Sequence, residues 1–143
     1  MEHAEYVHTT GMDEADVEAH LHESEHGVLA LADADDAYAV PISHHYDDER
    51  LLLRVSHHGD DAAEKVRYLE TTRTATFVCH EANDSSSWSV LVRGPIAPWT
   101  GDVSESTLNE WFPPFRLFDE SVDEVEFTLY ELEMRSVVGR RTV

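Results

Sequence analysis

The spacing of hydrophobic positions along the chain predicts a domain built mainly of β-strands. Short apolar or alternating runs bounded by polar turns are typical of strands. Five such runs precede a longer alternating tail, and they are residues 27–33, 38–46, 51–57, 74–81 and 87–99, with the tail at 124–141. In the last of the five, Gly94 and two prolines indicate a bend or bulge near the end of the strand. Because tight turns separate most neighbouring runs, we expect an antiparallel barrel.

Other segments have the spacing or the boundaries of helices. Residues 12–27 place Val17 and Leu21 four positions apart on one face, with acidic residues at the start and Gly27 as the predicted end. Apolar residues recur at helical spacing in a second segment, and a short third segment ends at two prolines. These two helices are predicted over 60–72 and 107–112. We therefore expect a few helices attached to the barrel.

Length and charge restrict the class of protein. With 143 residues the chain is long enough for one domain with its own core and short for two, so residues 1–143 are treated as a single domain. Acidic residues number 30 against 10 basic ones, the net charge is −20, and Lys65 is the only lysine. Such a surface predicts adaptation to high salt, which screens the carboxylates. Because no basic patch is present, neither nucleic acid nor an anionic membrane is expected as a partner.

The sequence also bears on the cellular compartment. Cys79 is the only cysteine and lies in an apolar run, which favours a buried thiol and excludes a disulfide within the chain. No segment approaches the length of about 20 apolar residues that spans a bilayer. The first residues lack the basic and apolar regions of a signal peptide. We expect a cytoplasmic protein.

Two His-His pairs, at 44–45 and 57–58, raise the possibility of a metal site. If residues 47–50 form the turn between two strands, with Tyr46 opposite Leu51, the two pairs are offset by about 13 Å. Neighbouring side chains on a strand also point to opposite faces. Since metal ligands must converge to about 2 Å from one ion, this hairpin alone does not form a site. A site with two histidines and carboxylates from elsewhere stays open.

The order of the predicted elements resembles a known family. A Gly-initiated apolar strand is followed by YAVPIS, an acidic turn, LLLRVS, a helix with a lysine, ATFVCHE and WSVLVRG. This order is similar to that of the flavin-binding split-barrel proteins related to pyridoxamine 5'-phosphate oxidase, especially the branch with nitroimidazole-resistance proteins. The resemblance covers residues 13–97 and rests on several weak motifs in order. It implies a six-stranded antiparallel split β-barrel that forms a homodimer with FMN at the interface.

The same resemblance implies which residues contact the cofactor. They are Pro41, Ile42, Ser43, Arg54, Val55, Ser56, Lys65, Trp88 and Ser89. Arg54 and Lys65 correspond to the residues that hold the phosphate, and a dianion in so acidic a chain needs such local cations. Ser43 and the backbone beside it lie on the strand that faces the isoalloxazine. Pro41 donates no hydrogen bond, so it suits an edge facing a cofactor.

Each of these assignments has an ordinary alternative. Arg54 can be a surface residue of a strand, and Lys65 can pair with Glu64 or Asp61. Trp88 suits a core or a dimer interface as well as a flavin stack. Aspartates at 60–61 lie close to the proposed phosphate, so FMN binding requires them to turn outward.

The resemblance implies a flavoprotein that transfers hydride or electrons between a reduced nicotinamide and a small-molecule substrate. Catalytic side chains are not assigned, because the cofactor carries such chemistry. A flavin carrier without turnover, or a split barrel that binds F420 or haem, stays open. F420 needs more cations than this chain offers. Oxidation of pyridoxamine phosphate is not expected, because the C-terminal tail does not clearly reproduce the phosphate site for that substrate.

Overall fold

A computed structural model describes residues 9–56, 62–112 and 127–143 of the chain. Its strands are β1 (Thr9–Gly11), β2 (His26–Asp33), β3 (Asp36–Tyr46), β4 (Leu51–Ser56), β5 (Ala75–Ala82), β6 (Ser87–Gly94), β7 (Ile96–Pro98), β8 (Phe127–Leu132) and β9 (Ser136–Thr142). Its helices are α1 (Glu14–Glu23), α2 (Ala62–Thr71) and α3 (Glu105–Trp111). The strands form one sheet in the order β1-β9-β6-β5-β2-β3-β4-β8-β7. All the pairings are antiparallel, so the mainly-β antiparallel class is confirmed, with nine strands in place of the expected six.

Two short links force the sheet to curl. Pro95 alone separates β6 from β7, although these strands lie towards opposite ends of the strand order. Residues 133–135 likewise join β8 to β9, two strands that are as far apart in the strand order as β6 and β7. The two links bond to each other: Glu133 N donates to Pro95 O (2.9 Å) and Arg135 N donates to Arg93 O (3.1 Å). The two halves of the sheet therefore meet here, at a place that we call the seam, and the sheet has an inner and an outer face.

The seam explains why two predicted strands are wrong in extent. The tail predicted as one strand over 124–141 is two strands, since β8 pairs with β4 and β9 pairs with β6. The alternation of apolar residues runs through the crossing at 133–135, so the pattern gave no sign of it. The fifth predicted strand ends at Gly94 and resumes as β7, at the point where a bend was expected. Residues 124–126 lie outside the described part.

The hydrophobic core fills the inner face of the curled sheet. Its fully buried members include Leu29, Leu53, Phe77, Val90 and Val92. Val17 and Leu21 of α1 join this cluster, as their spacing predicted, and so do Tyr68 and Leu69 of α2. Cys79 is buried, which confirms the structural thiol, and burial raises the pKa of this thiol to about 11.

The first helix begins as predicted and ends earlier. The Asp13 side chain accepts a hydrogen bond from Asp16 N (2.8 Å) and satisfies one of the free amides of the first turn. The helix ends at Glu23, so the prediction that Gly27 ends it is wrong. Gly27 lies in β2, where a Cβ atom would collide with the carbonyl oxygen of Val78 on the neighbouring strand. A close approach of two strands therefore requires this glycine.

The other helices agree with the predicted segments. The second is described from Ala62, and α3 starts two residues before the predicted segment, with the Ser104 hydroxyl accepting from Thr107 N (3.2 Å). Residues 60–61 and the prolines at 113–114 lie outside the described residues. None of the helices in the described ranges has the length and hydrophobicity that a membrane crossing would take.

We predict that Gly94→Ala destabilises the protein. A Cβ atom at this position would overlap the carbonyl oxygen of Glu133 in the opposite link of the seam. Because the clashing atoms belong to the backbone of Glu133, they cannot turn aside as a side chain would, and the seam must open. We expect a loss of about 2 to 3 kcal/mol in the free energy of unfolding, measured by chemical denaturation. Gly11→Ala is the control, since no atom lies within 4 Å of the added Cβ. Equal stability of the two variants would contradict the role of the seam.

Candidate functional site

A row of polar side chains crosses the outer face of the sheet from β4 to β9. The register pairs Ser43 with Arg54 on one side and with His26 on the other. Further along, Ser89 pairs with His80 and with Arg140. Because Val28 pairs with Val78, the antiparallel register places His26 and His80 at opposing positions of the neighbouring strands β2 and β5. We call these six residues the polar row, and they are Arg54, Ser43, His26, His80, Ser89 and Arg140.

A parallel row of apolar side chains lies next to the polar row on the same face. Val28 pairs with Pro41 and with Val78, and Leu91 pairs with Val78 and with Val138. Although apolar, Val28 and Leu91 are each 37% exposed and Val138 is 50% exposed. We call these five residues the apolar row. Side chains two residues apart on a strand share a face, which is why both rows lie on the outer face.

Arg54 has the features of an anion-binding side chain. It is half-buried, and its guanidinium carbon lies 4.5 Å from the centroid of the Phe127 ring. Its Nε atom is buried and has no hydrogen-bond partner among the described residues. Burial also lowers the pKa of the guanidinium. A buried N–H group without a partner is costly, so an anionic acceptor supplied by a ligand would relieve that cost.

Lys65 is held at the end of the same strand. Although charged, it is only 8% exposed, and Nζ donates a hydrogen bond to Ser56 O (2.9 Å). Within the described residues, Lys65 therefore bonds to this backbone carbonyl and not to Glu64, which was one alternative. An ammonium has three donors, and the bond to Ser56 O uses one of them within the described part of the chain. The aspartates at 60–61 lie outside the described residues, so whether they turn outward is not tested.

The remaining predicted residues divide between the two faces. Pro41, Ser43, Ser56 and Ser89 alternate with inner-face residues and so lie on the outer face, Ser43 being buried there. Ile42 and Val55 are buried members of the core cluster. Their side chains therefore cannot contact a ligand on the outer face, and only their backbone is available to one.

Trp88 lies apart from the polar row. Its side chain packs against the core from the inner face, and its ring stacks on His20 of α1 with centroids 3.9 Å apart and planes 21° from parallel. It lines a cleft of about 450 Å³ between the C-terminal end of α1 and strands β5 and β6. His26 and His80 of the polar row line the same cleft. The structure therefore separates Trp88 from the other predicted contacts and places it at a neighbouring site.

Comparison with known proteins agrees with this architecture. The model of the pyridoxamine 5'-phosphate oxidase family matches residues 13–141. The chain belongs to this family. The expectation drawn from the order of its motifs is thereby confirmed. No curated protein sequence matches the chain.

Solved structures with the same fold align with nearly the whole of this chain. A FAD-binding protein from Mesorhizobium loti is 16% identical, with 96% of this chain and 99% of that chain covered and a TM-score of 0.69. A candidate 5-nitroimidazole antibiotic resistance protein from Bacteroides thetaiotaomicron is 15% identical, with 99% and 95% covered and a TM-score of 0.66. A FAD and haem binding protein from Mycobacterium smegmatis is 15% identical, with 94% and 73% covered and a TM-score of 0.66. At such identities the likeness shows the fold alone.

Of the two His-His pairs, the one at 44–45 lies within the described residues, and its two side chains point to opposite faces of the strand, as predicted. Tyr46 lies opposite Leu51, as assumed from the turn. His44 is 2% exposed and its Nε2 donates to Leu21 O (3.1 Å), whereas His45 lies on the other face and stacks on Trp111 with centroids 4.6 Å apart. Residues 57–58 lie outside the described part. Within the described ranges, no three His, Cys, Asp or Glu side chains are grouped as metal ligands.

Three members of the polar row, His26, His80 and Arg140, were not predicted as cofactor contacts. Each is nevertheless the cross-strand neighbour of a predicted contact, Ser43 or Ser89. A two-residue turn at 34–35 was predictable, and counting back from it places His26 opposite Ser43. His80 follows in the same way from the polar turn between β5 and β6.

We predict that burial of His44 makes stability depend on pH. Desolvation lowers its pKa from 6.5 to about 4. In the unfolded chain this histidine binds a proton at higher pH than in the folded one. Stability should therefore fall as the pH drops from about 6.5 to about 4, by about 3 kcal/mol in total. Denaturation curves of the wild type and of His44→Gln across this window measure the difference, and parallel pH profiles for the two would contradict it.

Proposed function

We propose that the chain binds FMN on the outer face of the sheet and acts as an oxidoreductase. In this proposal it transfers hydride or electrons between a reduced nicotinamide and a small acceptor. The observation that carries the proposal is the pair of cations at the end of β4. Arg54 has a buried Nε without a partner among the described residues, and Lys65 is bound to the backbone two residues further along the strand.

Electrostatics favours the phosphate of FMN at this pair. The chain has a net charge of −20, so a dianion is repelled from most of its surface. Arg54 and Lys65 provide two positive charges whose positions are set by packing and by the bond to Ser56 O. Arginine can bind two phosphate oxygens at once, and lysine adds a further charged donor. A single phosphate suits this pair better than the additional anionic groups of FAD or F420.

The polar row offers hydrogen bonds along the rest of the cofactor. Neighbouring strands lie about 4.8 Å apart, so the six strands from β4 to β9 span about 24 Å. This length accommodates an extended flavin mononucleotide. Ser43 and Ser89 are the hydroxyl groups of the row, and each has a histidine as its cross-strand neighbour. These serines would orient the cofactor, and the two histidines would lie beside it.

When bound, the isoalloxazine supplies the transfer of hydride or electrons. The residues of the chain bind it, orient it and limit the access of water. Two of the similar structures are a FAD-binding protein and a FAD and haem binding protein, so another flavin or haem is the alternative ligand. Absorption distinguishes haem from a flavin, and the mass of the released cofactor distinguishes FMN from FAD.

We further propose that the apolar row packs against a second copy of the chain. In a protein this acidic, a row of apolar side chains across five adjacent strands is unusual on a free surface. The row contains no charge, so two copies can meet along it without bringing carboxylates together. Because the polar row lies directly beside it, a dimer formed here would cover the cofactor site and complete its wall.

The absorption spectrum of the purified protein tests the proposal. We expect the two visible flavin bands, and mass spectrometry of the released cofactor should identify FMN. A haem Soret band, or a spectrum without a cofactor, would contradict it. Oxidation of a reduced nicotinamide by the loaded protein tests the enzymatic part, and flavin without any turnover would leave only a carrier.

Removing either cation should weaken flavin binding. Arg54→Ala and Lys65→Ala each remove charged hydrogen bonds to the phosphate, and we expect the FMN dissociation constant to rise about tenfold to hundredfold in each. Arg67→Ala is the matched control, because it removes the same charge from an exposed position on α2. Titration of FMN into flavin-free protein measures the affinities. Wild-type affinity in both test variants would mean that the phosphate lies elsewhere.

A further inference from the structure

We propose that the cleft beside Trp88 binds an aromatic organic cation. It is a second ligand site, next to the polar row, and its relation to the flavin rests on the proposed function. The cleft has a volume of about 450 Å³, which is within the range of sites for small molecules.

The charges around the cleft favour a cation. Glu23 and Glu25 line it from the end of α1, and Glu81 lines it from β5. The last turn of α1 also directs the negative end of its dipole there, since Ser24 after the helix is among the lining residues. Among the described residues, those that line the cleft include no lysine or arginine, although Arg141 is the cross-strand neighbour of Trp88. An anionic ligand would therefore meet three carboxylates and a helix C-terminus among the lining groups.

The aromatic side chains that line the cleft favour an aromatic ligand. The indole of Trp88 lines the cavity and is fixed from one side by the stacked ring of His20. Trp is the side chain that attracts cations most strongly through its ring. A pre-positioned indole beside carboxylates suits a positively charged ring better than a compact hydrated ion.

A metal ion fits the cleft poorly. Its histidines and glutamates are spread over α1, β2 and β5, and within the described ranges they do not form a group of three with the spacing of metal ligands. A metal ion needs ligands within about 2 to 2.5 Å, whereas an organic cation is stabilised by carboxylates placed around a larger volume.

The cleft is joined to the proposed flavin site through two shared residues. His26 and His80 line the cleft and are the cross-strand neighbours of Ser43 and Ser89. A cation in the cleft would therefore lie beside a flavin held along the polar row. Nicotinamide dinucleotides carry a pyrophosphate, so this wall of carboxylates disfavours them and selects a different class of ligand.

Binding of matched probes to flavin-free protein tests the inference. Calorimetric titration compares N-methylquinolinium, a planar cation, with 4-methylquinoline, which has a similar shape and is neutral at pH 8. We expect saturable binding of the cation and at least about a tenfold preference over the neutral probe, since three exposed carboxylates each contribute a modest amount. Higher salt should weaken binding of the cation and not of the neutral probe.

Charge-neutral variants place the site. In Glu23→Gln/Glu81→Gln the affinity for the cation should fall about tenfold, with binding of the neutral probe unchanged. Glu110→Gln is the control, because it removes an exposed carboxylate from α3, outside the cleft. Equal affinities for the two probes, or the same loss per carboxylate in the control, would overturn the inference.

These outcomes are separate from those of the flavin proposal. The titrations need no flavin, so cation binding without flavin binding would support the cleft and contradict the proposed function. Flavin binding without cation binding would do the reverse. In flavin-loaded protein, quenching of flavin fluorescence by the cation should disappear in the double glutamine variant.

Discussion

The fold depends on the seam where two backbone links cross. Glu133 N bonds to Pro95 O, and Gly94 has no side chain where the carbonyl of Glu133 passes. Since each link is only one to three residues long, the sheet cannot remain open. It curls, and one face becomes a packed interior while the other keeps exposed side chains such as Val28, Leu91 and Val138. The polar row and the apolar row both lie on the outer face.

The outer face is organised by the period of two along each strand. Antiparallel register aligns equivalent positions across neighbouring strands, so one row is polar and the adjacent row is apolar. The polar row has Arg54 at one end and brings Ser43 and Ser89 to the same face. The apolar row beside it is where we propose that a second copy packs. The proposed cofactor site and the proposed interface thus lie side by side because of strand geometry alone.

Much of this could be predicted from local patterns. Tight turns fix hairpin registers, so the pairing of Tyr46 with Leu51 followed from one turn. The seam could not be predicted, because apolar alternation continues through residues 133–135 while the strand changes neighbours. Trp88 was assigned to the site from the order of motifs, which does not say on which face a side chain lies. The register of the assembled sheet puts its side chain on the opposite face from Ser43.

The most direct test of the account is a change in the apolar row that alters no proposed cofactor contact. Leu91→Asp places a charge within the row, between Val78 and Val138, whereas Val143→Asp places the same charge at an exposed position outside it. Light scattering and the flavin absorbance of the same sample measure mass and occupancy together. We predict that Leu91→Asp is monomeric and loses most of its flavin, while Val143→Asp remains a loaded dimer. A Leu91→Asp protein that is still dimeric, or a monomer with full flavin occupancy, would contradict the account.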